Sequence, residues 1–107
     1  MFIINGERWW IVLVEPDDPA LMMPNGDYAV GACNDSVKTI FISNLLDAED
    51  FEKVLCHEIV HSAMFAYDIM LDIEEEELLA EVIATFGEEI IDLTDVMFDE
   101  MRRGGLY

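Results

Sequence analysis

The pattern of apolar and polar residues divides the chain into a β-prone first part and a helical second part. Short apolar runs at 2–4 and 9–14 flank Asn5-Gly6, a dipeptide typical of tight hairpin turns. Two further β-prone runs, at 28–33 and 38–43, are separated by a short turn-prone segment. The pattern therefore predicts a small, mostly antiparallel sheet of about four strands.

From Asp47 onward, the apolar residues recur with helical spacing. Acids at the start of this segment suit the positive end of a helix dipole, and a first helix is predicted from Asp47 to about Tyr67. Its central part, 54–66, is apolar on nearly all sides, which predicts a helix buried all round. A second helix is predicted from about Glu74 to Arg102. The expected fold class is α+β, with the sheet packed on two main helices in one domain over residues 1–107.

Composition and charge narrow the class of protein. The two cysteines, Cys33 and Cys56, stand far apart and form no disulfide framework, so a reduced, cytoplasmic protein is expected. Every apolar stretch is interrupted before it reaches membrane-spanning length, so no membrane association is expected. The net charge of −19 comes from 24 acidic and 5 basic residues and repels nucleic-acid phosphates. We therefore expect no direct binding to DNA or RNA.

The candidate chemistry lies in the first helix, where both of the chain's histidines fall in His57-Glu58-Ile59-Val60-His61. Residues four apart lie on one helix face, so both imidazoles can bind one ion. Glu58, about 100° round the helix, can reach a water bound to that ion. This H-E-x-x-H spacing is typical of catalytic zinc sites. The sequence predicts His57 and His61 as Zn²⁺ ligands and Glu58 as the general base.

A third protein ligand is expected near the start of the second helix. Glu77 and Glu81 lie four residues apart on one face, and either would complete a site of two histidines and one glutamate. The other glutamate would then hydrogen-bond the second nitrogen of a histidine. Both residues also fit a solvated acidic face, because acids continue along the same stripe.

The motif, followed by Glu77-Leu78-Leu79-Ala80-Glu81, resembles the gluzincin branch of zinc peptidases. The plan of short strands, a histidine-bearing helix and a glutamate-bearing helix is similar to small phage and prophage zincins. The resemblance implies a minimal zincin-like fold, with Glu77 as the third ligand and Glu81 as the support of a histidine. It also implies that Lys38 to Ile42 forms an edge strand that pairs with the substrate backbone. Larger members have a further histidine that stabilises the oxyanion, and here Tyr28 and Tyr67 are the candidates.

The leading functional hypothesis is a zinc-dependent peptidase that acts on a peptide or protein substrate, and the acidic surface favours a basic one. One alternative is a non-catalytic, zinc-stabilised phage accessory or binding module. Another is an acidic decoy of a DNA-binding protein, because the charge of −19 attracts proteins that bind DNA. The sequence determines neither the substrate nor the oligomeric state.

Overall fold

The α+β class predicted from the sequence is confirmed by a computed structural model that describes residues 1–105. A four-stranded sheet packs against two helices. The strands are β1 (Phe2–Ile4), β2 (Glu7–Val14), β3 (Gly31–Asn34) and β4 (Thr39–Ser43). The helices are α1 (Ala48–Ala66) and α2 (Ile73–Arg103), and a 3₁₀ turn at Pro19–Leu21 lies between β2 and β3.

Local turns and caps explain where the elements begin and end. Asn5 and Gly6 have φ values of 48° and 75°, the left-handed conformations that a tight hairpin between β1 and β2 requires. The Asn5 side chain also donates a 2.7 Å hydrogen bond to the carbonyl oxygen of Ala66, where α1 ends. The carboxylate of Asp47 caps α1 by accepting the backbone N–H of Asp50. The first hairpin and the end of α1 are therefore joined directly.

The sheet has the order β1-β2-β4-β3. β1 pairs antiparallel with β2, and β3 pairs antiparallel with β4, whereas β2 and β4 are parallel. The sheet is therefore mixed but mostly antiparallel, as expected. The prediction that Lys38 to Ile42 forms an edge strand is wrong, because β4 lies between β2 and β3. The edge strand of this hairpin is β3.

Burial in the core explains why β4 is an internal strand. Ile40 and Ile42 of β4 are fully buried together with Trp9 of β2, and apolar residues of α1 pack on this cluster. Trp9 and Trp10 point to opposite faces of β2, as their adjacent positions predict, with exposed fractions of 0% and 51%. The face that carries Trp9 is therefore the one that α1 covers.

A second, smaller cluster joins the two helices. Val60 and Met64 of α1 pack against Ala80 of α2, which is fully buried. α1 consequently lies between the sheet and α2. The expectation that α1 is buried all round is wrong at Phe65, which stays 40% exposed although its ring stacks on Trp9.

The second half of α2 projects beyond the rest of the chain. Every residue from 88 to 103 is exposed except the half-buried Asp99. The radius of gyration is 16.6 Å, against about 13 Å for a compact chain of this length. The longest dimension is 56 Å, which reflects this projection. Within residues 1–105, no helix is both long enough and apolar enough to cross a membrane.

The two adjacent tryptophans provide a matched test of the fold. We expect Trp9→Ala to lower the free energy of unfolding by about 3–5 kcal/mol, because it removes the largest side chain of the core. Trp10→Ala should lower it by less than about 1 kcal/mol, because its ring is half exposed. Urea denaturation followed by circular dichroism, with EDTA present throughout, measures both. Equal losses in the two variants would contradict the assigned orientation of β2.

Candidate metal centre

Three side chains from the two helices converge on one point. His57, His61 and Glu77 each offer a ligand atom, and these atoms all lie within 4.8 Å of one another. The Nε2 atom of His57 lies 3.1 Å from Oε2 of Glu77, and Nε2 of His61 lies 2.9 Å from Oε1 of Glu77. Both imidazoles therefore direct the same ring nitrogen at one carboxylate.

The packing of the helices explains this convergence. The histidines stand one turn apart on α1, with ring centroids separated by 5.0 Å. Ala80 has a small side chain, so α2 can approach α1 closely where Val60 and Met64 contact it. Glu77 lies one turn before Ala80, near the start of α2. The close approach of the helices therefore brings the Glu77 carboxylate to the histidines.

The second nitrogen of each histidine faces a different carboxylate. Nδ1 of His61 lies 2.7 Å from Oε1 of Glu76, and this pair is largely shielded from solvent. Nδ1 of His57 lies 3.4 Å from Oε2 of Glu81. A carboxylate that accepts the Nδ1–H proton leaves the Nε2 lone pair free for a metal ion. The structure therefore places Glu77 on the Nε2 side of both rings and Glu81 on the Nδ1 side of one.

Glu76 is the functional candidate that the sequence interpretation missed. It belongs to a run of four glutamates, 74–77, and the sequence alone does not distinguish one member from another. The structure distinguishes it because its side chain is only 15% exposed, whereas that of Glu77 is 51% exposed. One feature of the sequence could have identified it: Glu76 stands four residues before the apolar Ala80, so both residues lie on the same side of α2.

The donor set and its spacing fit a divalent metal ion. Ligand atoms of a tetrahedral zinc site stand roughly 3.3 Å apart, given about 2.0–2.1 Å from each atom to the ion. The 2.9 and 3.1 Å separations between the Nε2 atoms and the Glu77 oxygens are close to that value. The ligand atoms of all three residues lie within 4.8 Å of one another, so binding one ion would draw some of them closer together.

The charges around the cluster also favour a cation. The carboxylates of Glu76, Glu77 and Glu81 surround two imidazoles, and Glu58 lies next to His57 in the chain. Lys53 pairs with Glu81 at 3.0 Å and holds the pKa of that carboxyl below its ordinary value. The other acids repel one another, and a bound cation would offset this repulsion.

Glu58 lies on the side of α1 that faces β3 and is only 6% exposed. Burial raises the pKa of its carboxyl, the imidazoles of His61 and His57 oppose the rise, and the Glu77 carboxylate adds to it. Gly31 of β3 lies so close that an added Cβ would stand 3.1 Å from Cγ of Glu58. The carboxyl is thus held between α1 and the edge strand, in a setting that strengthens its affinity for a proton.

Neither cysteine matches the properties of a metal ligand or a nucleophile. Burial raises the pKa of the Cys33 thiol to about 12, with nearby acids such as Glu58 adding to the rise. Burial also raises the pKa of Cys56, which is a free thiol on α1. Both environments favour the neutral thiol, which is the weaker nucleophile and ligand.

The two tyrosines considered for oxyanion stabilisation are both partly exposed. Tyr67 directly follows the last residue of α1, about 9 Å along the helix axis from His61. Tyr28 forms an isolated backbone bridge with Met22 ahead of β3. Their proposed role stays a prediction.

The close contact between β3 and α1 leads to a test at Gly31. In Gly31→Ala, the new Cβ would lie 2.6 Å from Cγ1 of Val54, and we expect a loss of about 1–3 kcal/mol in the free energy of unfolding. Adding Val54→Ala should relieve the clash, so the double variant should be more stable than the sum of the single losses by about 1 kcal/mol. Chemical denaturation of all four proteins measures this coupling. Strict additivity would contradict the contact.

No family model, curated protein or solved structure matches this chain. The likeness to gluzincins is therefore carried by the His57–His61 motif and by the positions of the acidic side chains of α2. The chemistry of this cluster is consequently the basis on which a function can be assigned.

Proposed function

We propose that the protein is a zinc-dependent peptidase of minimal zincin type, with His57, His61 and Glu77 as ligands and Glu58 as general base. One observation carries the proposal: both Nε2 atoms meet at Glu77 while both Nδ1 atoms face other carboxylates. A carboxylate that accepts the Nδ1–H proton selects the tautomer in which the Nε2 lone pair can bind a metal ion. Two surface histidines without a metal-binding role would not need this orientation.

Two imidazoles and one carboxylate are the protein ligands of a catalytic zinc site with an open fourth position. Zinc bound there supplies a Lewis acid that polarises a carbonyl and lowers the pKa of water. Of the three ligands, Glu77 is the most exposed, at 51% of its side chain. The ligand set is therefore accessible from the solvent side of α2, which hydrolysis requires.

The proton transfers are assigned to Glu58. Its carboxylate takes a proton from the attacking water and later passes it to the leaving amine nitrogen. Burial raises the pKa of this carboxyl, which favours proton uptake. The neighbouring strand excludes water from one side of Glu58 because Gly31 packs against it.

The edge strand β3 is the proposed place for the substrate backbone. It pairs with β4 on one side and, within residues 1–105, ends the sheet on the other, so its outer edge is the proposed place for pairing with an extended peptide. Gly31 begins β3 and lies beside Glu58. A peptide paired with β3 would thus run past the general base. This assignment replaces the role that the sequence gave to Lys38 to Ile42.

A second candidate function is a zinc-stabilised binding module without catalysis. It is favoured by the small apolar cluster between α1 and α2, in which Val60, Met64 and Ala80 are buried with Leu79 alongside. A metal ion shared by α1 and α2 would hold them together whether or not Glu58 acts on a substrate. The two functions differ in what they require of Glu58.

Glu58→Gln separates these functions. We expect the wild-type protein to hold about one zinc per chain and to cleave peptides in a fluorogenic library, and Glu58→Gln to keep the zinc while losing roughly 10²–10⁴-fold in cleavage rate. Elemental analysis and the cleavage assay measure the two properties. Glu52→Gln, which removes an exposed carboxylate from the same helix, should change neither.

Two results would decide against the peptidase. If zinc-loaded wild-type protein cleaves no member of the library, the zinc has the structural role. If protein made in zinc-containing medium folds without the metal, both zinc functions are wrong. His57→Ala should lose the zinc under either function, because two remaining protein ligands hold it poorly.

The contact between Glu76 and His61 predicts a second effect on metal affinity. We expect Glu76→Ala to weaken zinc binding by about 10–100-fold, because the carboxylate orients the His61 ring and raises its basicity. Glu74→Ala removes the same charge from the same run of glutamates, at an exposed position, and should change the affinity by less than about threefold. Competition with a chromophoric chelator measures both affinities. Equal effects would show that Glu76 acts only through its charge.

A further inference from the structure

A continuous apolar stripe runs along α2 from Ile83 into its projecting half. Its members follow one another at intervals of three or four residues, and each is between 38% and 57% exposed: Ile83, Phe86, Ile90, Leu93, Met97 and Met101. This spacing keeps them on one face of the helix, and from Ile83 to Met97 it matches the seam of a two-stranded coiled coil. The stripe is therefore shaped to pack against another helix.

The stripe is not the face that packs on α1. The face towards α1 carries the small residues Ala80, Ala84 and Gly87, which are buried or half-buried. The helical rotation of 100° per residue places Ile90 about 80° from Ala80 and Leu93 about 140° from it. α1 therefore leaves the stripe uncovered along its whole length beyond Ile83.

The exposed area is large for an isolated chain. The six side chains together expose on the order of 600 Å², the upper end of what the largest apolar patch on a monomer shows. A standard interface buries about 800 Å² on each partner. The stripe and the polar residues at its margins approach that requirement.

Four acidic residues of α2 lie away from the stripe, whereas Glu89 lies at its side and Glu100 lies close to it, between Met97 and Met101. Glu88, Asp92, Asp95 and Asp99 follow one another on the opposite face of the helix. In two helices joined along their stripes, these rows would lie on the outer sides, about 20 Å apart and beyond two Debye lengths at physiological salt. A net charge of −19 per chain is therefore compatible with self-association.

We propose that a second copy of this chain covers the stripe, and that two α2 helices pair antiparallel. The charge along α2 favours this direction, because acids fill its first turn and Arg102 and Arg103 end it. Antiparallel pairing brings the basic end of each helix towards the acidic half of the other, and it also aligns the helix dipoles favourably. Ile90 then lies opposite Leu93 of the partner subunit, and Phe86 opposite Met97 of the partner subunit.

Sedimentation equilibrium of the full chain, from 1 to about 200 µM in 0.15 M NaCl, tests the association. We expect twice the chain mass of 12.2 kDa at the upper concentrations. Ile90→Glu should weaken the dimer by at least about 100-fold, because it buries a charge in the seam. Ile91→Glu is the matched control: this residue is 61% exposed, against 54% for Ile90, but lies about 100° round the helix. It should change the dissociation constant by less than about threefold.

Two outcomes would overturn the second copy as occupant. A wild-type chain that stays monomeric at 200 µM would leave the stripe to a different protein. Equal weakening by Ile90→Glu and Ile91→Glu would show that association does not use the stripe. Circular dichroism of both variants confirms that the helices are retained, so that a loss of mass reports on the interface.

A mixing experiment tests the antiparallel direction. Equal amounts of Ile90→Cys and Leu93→Cys chains are combined, oxidised and examined by mass spectrometry, with the wild-type chain oxidised in parallel as the control for Cys33 and Cys56. Antiparallel pairing predicts that mixed disulfides between the two variants predominate, because these positions face each other across the seam. Predominant disulfides between identical variants would contradict the direction.

Discussion

The contact of Ala80 with Val60 and Met64 is the constraint on which the rest of the site depends. It fixes the start of α2 against the histidine-bearing turns of α1, at a distance set by the small alanine side chain. The same contact gathers several carboxylates beside two imidazoles, where mutual repulsion works against the packing. A cation bound between the helices would turn that repulsion into attraction. Binding of a metal ion at this position would therefore depend on the same interface as the packing of the helices.

The sequence was sufficient for those parts of the fold that depend on local pattern. The hairpin at Asn5-Gly6, the bounds of both helices within a few residues and the opposite orientations of Trp9 and Trp10 all follow from turn chemistry and periodicity. The place of β4 inside the sheet did not follow, because its parallel pairing with β2 joins segments that are distant in the chain. Side-chain alternation identifies a strand but does not name its neighbours.

Some features of the candidate site also follow from local sequence pattern, whereas others depend on the packing of the helices. The i, i+4 spacing brings His57 and His61 to one face of α1 whatever the remainder of the fold does, and so the motif was visible in the sequence. The choice between Glu77 and Glu81, and the contact of Glu76 with His61, depend on how α2 is rotated against α1. No local rule sets that rotation. In the run of four glutamates, only the packing distinguishes Glu76 and Glu77, which contact histidines, from the other two.

The two halves of α2 face different physical requirements. The first half is held by α1, whereas the residues from 88 to 103 make a helix that projects into solvent. A segment of that length is marginal as an isolated helix, because helix stability in proteins comes mainly from the packing of an apolar face. Its apolar stripe lies away from α1, and under the proposed pairing a second copy of the chain supplies the stabilising contact. The separation of small residues on one face from large apolar residues on another thus lets a single helix serve two interfaces.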